Sequence, residues 1–213
     1  MELAFDTHES MIKAIIKSQH TQRNWDLSRE IPADDMKVLE AAVTQCPSKQ
    51  NFAFYKTTFV TNRSVIEKIH EQTLGLGYID AETKQRVECT NPQALANLLV
   101  IFEEITPSEN FNKHHRLRNE NKKSIFERDR DTALGIAVGY MNVVATMLGY
   151  ETGCCACYNG KAIQELLGLE NEVVLMMGVG YKNPNLNRRI HHANHTFMFP
   201  TKPKQEISVS WHK

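Results

Sequence analysis

Residues 131–150 read DTALGIAVGYMNVVATMLGY, a segment that carries almost no charge after its first residue. Its apolar side chains fall on every side of a 3.6-residue helical wheel, and such a helix is buried in a protein core or in a membrane. The segment is just long enough to span a bilayer. However, Gly135, Gly139 and Asn142 dilute its hydrophobicity, and the charged run 128–131 overlaps its start. We therefore predict a central buried helix of a soluble protein, whose glycine spacing would allow close approach of another backbone, as at a subunit interface.

The composition is that of one globular domain, which we predict to cover residues 1–213. Hydrophobic residues make up 41% of the chain and charged residues 23%, as in ordinary folded proteins. The 25 basic and 25 acidic residues balance, so no overall field attracts nucleic acid or a membrane surface, and we predict neither as a partner. The five cysteines form an odd set, and the N-terminus lacks a signal-peptide pattern. We therefore expect a reduced, cytoplasmic setting.

Local patterns predict four more helices around the central one. A first helix should run to about Gln19, and a second should begin at Pro32, because a missing N–H does no harm in a first turn. Helices are also expected over 64–72 and over 159–167, the latter with an asparagine cap and a glycine stop. The predicted buried face of the first helix consists of Met11, Ile12, Ile15 and Ile16.

Strands are predicted over 57–61, 98–102, 153–157, 172–180 and 207–211. The second and fourth of these are apolar throughout, which is typical of strands buried on both faces, whereas 207–211 alternates like an edge strand. Residues 106–128 are polar and basic, and we predict a partly helical excursion over the surface there. Residues 182–213 are predicted to form an extended C-terminal arm. Together these elements indicate an α+β fold in which helices flank a mixed central sheet.

Three common kinds of catalytic site are not supported by the sequence. The cysteines at 154–157 and the histidines at 191–195 lack the paired spacing of zinc ligands, so we predict no metal site. A G-x-S-x-G elbow is absent, as are the glycine loops that bind phosphate in P-loop and Rossmann proteins. The cysteines are then small buried side chains, and the histidines are solvated or face a phosphate.

What remains is a set of polar side chains in loops that are far apart in the sequence. These side chains, in three loops, are His20, Thr21 and Arg23; Ser48 and Asn51; and Arg188 and Arg189. Guanidinium groups donate hydrogen bonds in a fixed fork that suits phosphate, and an asparagine amide can bond to the edge of a heteroaromatic ring. The set suits a single planar, anionic ligand, although helix caps and solvated surface charges would use the same residues.

The order of these pieces resembles the flavin-dependent nitroreductase family over nearly the whole chain. The resemblance is carried by the loop 19–25 (QHTQRNW), the segment 46–51 (CPSKQN), the central helix with 149–151 (GYE), and 178–181 (GVGY) followed by two arginines. Members of this family are homodimers that bind FMN at the subunit interface. The resemblance therefore implies FMN as cofactor, NADPH or NADH as co-substrate, and a homodimer with the flavin between its subunits.

The resemblance also implies a role for each loop. His20 and Thr21 would hold the FMN phosphate with the arginine pair, Arg23 would approach the pyrimidine side of the ring, and Asn51 would meet its polar edge. A backbone N–H near residues 156–157 would contact flavin N5. The implied cofactor-binding residues are His20, Thr21, Arg23, Pro47, Ser48, Asn51, Ala156, Cys157, Arg188 and Arg189.

Two positions depart from the family pattern. Gln19 occupies the place of an arginine that binds phosphate, and residues 53–55 (AFY) replace a usual Gln-Pro pair and the aromatic or histidine after it. Loss of the arginine removes one charge-assisted bond, which is among the stronger kinds. Arg188, Arg189 or His20 could compensate for it.

The function implied is that of an FMN-dependent oxidoreductase. It would accept a hydride from NADPH or NADH and pass electrons to a small acceptor, a nitroaromatic, quinone or enone, by a ping-pong scheme. No side chain is implied as a catalytic group, since the flavin does the hydride chemistry. The alternative, motivated by Gln19 and the missing Gln-Pro pair, is a non-catalytic flavin- or ligand-binding protein on the same fold.

Overall fold

The fold consists of helices packed on both faces of a small sheet. The computed structural model describes residues 8–75, 77–80, 82–105, 122–200 and 203–212. Its helices in these residues are α1 (His8–Ser18), α2 (Ala33–Thr44), α3 (Arg63–Glu71), α4 (Lys122–Met147) and α5 (Gly160–Leu167). The four outer helices confirm the predictions to within one residue at their ends.

The sheet has four strands that lie in the order β1-β4-β6-β5. These strands are β1 (Tyr55–Val60), β4 (Leu98–Glu104), β5 (Glu151–Cys155) and β6 (Val173–Gly180), and β2 (Tyr78–Ile79) pairs separately with β3 (Arg86–Val87). Every pair of neighbouring strands is antiparallel. The mixed character predicted for the sheet is confined to one parallel bridge, between Thr21 and Thr152 at the β5 edge.

Strand β4 explains why the core has two halves. Its side chains alternate across the sheet, so Leu98, Val100 and Phe102 pack with α2 and α4. Leu99 and Ile101 face the opposite side and pack with α3 and α5. All five are fully buried, which is worth about 1.5–3 kcal/mol for each side chain. The uninterrupted apolar run in the sequence is therefore confirmed as a strand covered on both faces.

Helix α4 is longer than predicted and is buried along one face. It begins at Lys122, so the last residues of the predicted excursion 106–128 are helical, and residues 106–121 lie outside the described residues. Phe126 is buried against Phe54, with ring centroids 5.6 Å apart. The opposite face is exposed at Tyr140 and at both glycines of the G-x-x-x-G spacing. The prediction of a helix covered on all sides thus holds for one face only.

Two predictions about apolar surfaces are wrong for the single chain. The predicted buried face of α1 is 43–55% exposed, because α1 packs on α4 with its other side. The segment 207–211 forms no strand within the described tail 203–212, and Trp211 is 85% exposed. An apolar pattern is buried only where a second surface meets it, and a local pattern does not specify which molecule provides that surface.

Candidate functional site

The loop after α1 is held between β5 and the segment after β6. The Gln22 N–H donates to the Thr152 carbonyl at 2.7 Å, and the Asp26 N–H donates to the Tyr181 carbonyl at 2.8 Å. Asn24 accepts at its carbonyl from the Asn183 N–H at 2.9 Å. Loop 20–26 and segment 181–190, which are far apart in the sequence, are therefore fixed side by side.

Gly153 makes this close approach sterically feasible. A Cβ at this position in β5 would lie 2.6 Å from the Gln22 carbonyl oxygen and 2.8 Å from the Gln93 Cβ, and both distances are shorter than real contacts. A glycine therefore lets the loop lie directly against the strand.

Arg23, Arg188 and Arg189 form what we call the basic cluster. The Nη1 of Arg23 donates to the Thr21 carbonyl at 3.5 Å, and the Nη1 of Arg188 donates to the same oxygen at 3.3 Å. The Nε of Arg189 donates to the Phe199 carbonyl at 2.9 Å. All three arginines are partly buried. Two loops predicted to share a ligand are thus brought together by the fold.

The electrostatics of the basic cluster are those of an anion site. Burial lowers the pKa of the Arg23 guanidinium, and the charges of Arg188 and Arg189 lower it further. In the part of the chain that the structure describes, none of the three groups has a carboxylate within ion-pair distance. The Nε of Arg23 is buried without a hydrogen-bond partner. Placing like charges close together is electrostatically unfavourable, and a bound anion would reduce the repulsion between the three guanidinium groups.

A cavity of about 370 Å³ opens beside the basic cluster. His20 and Arg188 line it, as predicted for phosphate contacts, and so do Lys17 and Lys182, which the sequence reasoning missed. Lys17 forms an ion pair with Glu151 at 3.1 Å, whereas Lys182 is exposed. The sequence feature that could have identified Lys182 is its position two residues after the last strand.

The predicted residues Pro47, Ser48 and Asn51 line a different cavity, of about 960 Å³. The Ser48 hydroxyl donates to the Phe52 carbonyl at 2.7 Å and closes the turn after α2. Asn51 is exposed and has a φ of 57°, a conformation that asparagine tolerates better than most residues. Tyr140 of α4 lines the same cavity. A single chain therefore does not bring this segment to the basic cluster.

Ala156 and Cys157 follow β5 and are both exposed. Ala156 lines a third cavity, of about 350 Å³, together with residues of α4 and β6. The Cys157 carbonyl accepts hydrogen bonds from the Leu74 N–H at 2.8 Å and from the Asn91 side chain at 3.1 Å. Of the ten predicted residues, the structure groups five: His20, Thr21, Arg23, Arg188 and Arg189.

Clusters of metal ligands and bilayer-crossing helices are both absent from the described residues. Among them, no group of three or more His, Cys, Asp or Glu side chains is arranged to hold a metal ion. None of the helices in the same part of the chain combines the length and hydropathy that a bilayer crossing requires.

Comparison with known proteins identifies the family. The sequence model described as "Nitroreductase family" matches residues 16–181. The chain belongs to the nitroreductase family. This match confirms the resemblance; it includes loop 20–26 with Arg23 and ends before Arg188 and Arg189. A search of curated proteins found no match.

Solved structures of the family share the fold. A nitroreductase-like protein from Streptococcus mutans is 17% identical, with a TM-score of 0.61, over 87% of this chain and 95% of that chain. A nitroreductase with bound FMN from Bacteroides fragilis is 18% identical, with a TM-score of 0.61, over 97% and 100% of the two chains. An FMN-dependent nitroreductase from Clostridium difficile is 14% identical, with a TM-score of 0.56, over 83% and 90%. The α+β prediction is confirmed.

Proposed function

We propose that the protein is an FMN-dependent oxidoreductase that takes a hydride from NADPH or NADH. It passes electrons to a nitroaromatic, quinone or enone acceptor in a ping-pong scheme. The observation that carries this proposal is the basic cluster, in a chain whose family membership is established. Two of the similar structures are described as containing or depending on FMN.

The basic cluster fits the phosphate of FMN. A phosphate monoester carries a charge of about −1.5 to −2 at neutral pH, and three guanidinium groups that have no carboxylate partner among the described residues can neutralise it. Arginine binds phosphate through parallel N–H donors. The resemblance implies that Arg23 approaches the pyrimidine side of the ring. Because its charge lies beside those of Arg188 and Arg189, we propose instead that Arg23 takes over the phosphate contact that Gln19 cannot make. His20 and Thr21 would complete this end of the site.

The remainder of the proposed site requires a second copy of the chain. The segment 47–51 and the basic cluster line separate cavities in one subunit, so we propose that the FMN lies between the two subunits of a homodimer. Exposed apolar side chains on α1 and the open glycine face of α4 support such an interface, because buried apolar area drives association. Residues 156–157 would approach the same ring.

Bound FMN would supply the hydride chemistry, which the protein side chains do not provide. The residues of this chain bind and orient the cofactor. The basic cluster would anchor its phosphate end, and Asn51 would bond to the polar edge of the ring. We also propose a cytoplasmic location, supported by an odd set of five cysteines without the pattern of a secreted disulfide framework, and a single domain over 1–213.

A second candidate is a flavin- or ligand-binding protein without turnover. It is favoured by Gln19 and by the replacement of the Gln-Pro pair, where Phe54 is 1% exposed and packs in the core with Phe126. A non-catalytic binding protein would keep the basic cluster. It would differ from a reductase at the residues on the side of the flavin ring where substrates approach.

The visible absorption spectrum of protein purified without added cofactor tests both candidates. We expect the bands of a bound flavin, and we expect NADPH or NADH to bleach them under anaerobic conditions. A yellow protein that neither nicotinamide reduces would support the binder. A colourless protein that cannot be reconstituted with FMN would contradict both.

A further inference from the structure

Phe199, in the C-terminal arm, contacts two members of the basic cluster. The guanidinium carbon of Arg23 lies 4.5 Å from the centroid of the Phe199 ring. The Phe199 carbonyl accepts from the Arg189 Nε at 2.9 Å, and the Phe199 N–H donates to the Arg189 carbonyl at 2.7 Å. One residue therefore touches the side chains of both loops that the fold brings together.

The surroundings of Phe199 fix its ring in place. The side chain is 1% exposed, and its ring lies 5.0 Å from that of Phe197 and 5.9 Å from that of His191. Phe197 in turn stacks on Tyr78 at 4.5 Å. Contacts of this kind are favourable beyond the area that they bury. The ring is thus a rigid surface rather than a mobile cover.

An aromatic face suits this position better than a carboxylate would. Arg23 sits beside two like charges, and the negative face of a ring attracts a cation without using any of its N–H donors. A carboxylate would neutralise the guanidinium and occupy the donors that an incoming phosphate needs. The ring therefore offsets part of the repulsion and leaves the positive charge available.

We propose that Phe199 is a positioning residue for phosphate binding, holding Arg23 against the basic cluster so that its charge acts on the phosphate of the ligand. The inference rests on the proposed function. It assigns the C-terminal arm, through Phe199, a part in recognising the phosphate group rather than the flavin ring.

The test compares FMN with riboflavin, which lacks the phosphate. Phe199→Met keeps most of the volume without the aromatic face, and Phe199→Tyr keeps the face. We expect Phe199→Met to weaken FMN binding about tenfold, which is about 1.4 kcal/mol, and to leave riboflavin affinity unchanged. Phe199→Tyr should retain the preference of the wild type for FMN. Equal weakening of both ligands by Phe199→Met, or no change in either, would show that the ring only packs.

Two further variants keep the test decisive. Phe59→Met removes a half-buried ring from β1, at the edge of the sheet opposite β5, and it should leave the FMN-to-riboflavin ratio unchanged. In an Arg23→Gln background, Phe199→Met should have no further effect on that ratio, because the side chain it positions is gone. Additive effects of the two substitutions would overturn the inference.

Thermal unfolding in inorganic phosphate separates this inference from the proposed function. A protein that binds neither flavin would contradict the FMN assignment. If phosphate still raises the melting temperature of the wild type and not that of Phe199→Met, the positioning role stands for a different phosphorylated ligand. If phosphate affects the two proteins equally, the positioning role fails as well.

Discussion

At the scale of single residues, the phosphate contact proposed for Arg23 would compensate for Gln19. Gln19 is exposed directly after α1, where the family resemblance implies an arginine. Arg23, four residues later, is partly buried with its charge beside two other arginines. Charge-assisted hydrogen bonds to phosphate depend on the position of the donor groups at the end of the side chain. Side chains from different backbone positions can place their donors at the same point.

We predict that Gln19→Arg tightens FMN binding. The new guanidinium would follow α1 next to His20, which lines the cavity beside the basic cluster, and one added hydrogen bond to a charged group contributes about 1.5–3 kcal/mol. Fluorescence titration should show a dissociation constant at least about tenfold lower. Gln85→Arg, which adds the same charge at an exposed position in the hairpin turn, should have little effect. If FMN binds equally to the wild type and Gln19→Arg, residue 19 does not face the phosphate.

Gly153→Ala should disrupt the candidate site by displacing the backbone of loop 20–26. The added Cβ would meet the Gln22 carbonyl at 2.6 Å, so loop 20–26 must move away from β5, at a cost of about 1–3 kcal/mol in the free energy of unfolding. Urea denaturation should show this loss, and FMN affinity should fall with it. Gly160→Ala is the control, since its nearest atoms lie at 3.5 Å or more. Equal stability of Gly153→Ala and the wild type would mean that the loop does not lie this close.

At the scale of elements, histidines connect the C-terminal arm to α3. The rings of His70 and His192 are 5.3 Å apart, and those of His191 and His192 are 4.6 Å apart. The Nδ1 of His191 accepts the N–H groups of Ala193 and Asn194 at 3.2 Å and 3.1 Å. A neutral imidazole can accept in this way and a protonated one cannot. The turn that leads to Phe199 is thus built on uncharged histidines.

We predict that acid weakens this docking. Burial lowers the pKa of His70 to about 4, helped by the charges of His192, His191 and Arg63. Burial and the charges of His191 and His195 lower the pKa of His192 to about 4 as well. Unfolded histidines titrate near 6.5, so unfolding takes up protons between about pH 6.5 and pH 4, and stability should fall as the pH falls through that window.

Melting temperatures measured across this window test the prediction. His192→Gln should flatten the decline because it removes one of the titrating histidines, whereas His8→Gln, exposed on α1, should leave the slope unchanged. A slope that is identical in wild type and His192→Gln would assign the acid sensitivity to other groups.

At the scale of the whole molecule, the apolar surfaces left open by one chain lie on α1, on α4 and in the tail. Ile207, Val209 and Trp211 are 71–85% exposed, alternating along the tail. Exposed apolar groups of this size mark an interaction site, and burying each of them would contribute about 1.5–3 kcal/mol. The proposed homodimer would cover them.

Removal of residues 203–213 should therefore weaken the dimer and not the subunit fold. We expect sedimentation velocity to show a shift toward monomers, with a dimer dissociation constant at least about tenfold higher. The basic cluster and Phe199, which lie before residue 203, should remain intact. Lys204→Gln in the full-length chain keeps the apolar residues and should stay dimeric. A truncated protein that is as dimeric as the wild type would show that the tail is not part of the interface.

Several parts of the fold could be predicted because a local pattern suffices for them. Strands β4 and β6 are continuous apolar runs, and α5 carries its own signals: the Asn159 side chain accepts from the Ala162 N–H, and Gly168 ends the helix with a φ of 64°. Each of these features depends on residues within a few positions of one another. The motifs that carried the family resemblance were equally local.

Most residues of the candidate site, though not Lys17 and Lys182, were named from the sequence, but their arrangement depends on tertiary structure. Arg23 meets Arg188 and Phe199 because hydrogen bonds fix loop 20–26 between β5 and the segment after β6, across more than a hundred intervening residues. Neither the separation of segment 47–51 from that cluster nor the exposure of the α1 face could be predicted from the sequence. Hydrophobic periodicity predicts that one face of an element will be buried. It does not predict which surface covers that face, because this depends on how distant elements pack together.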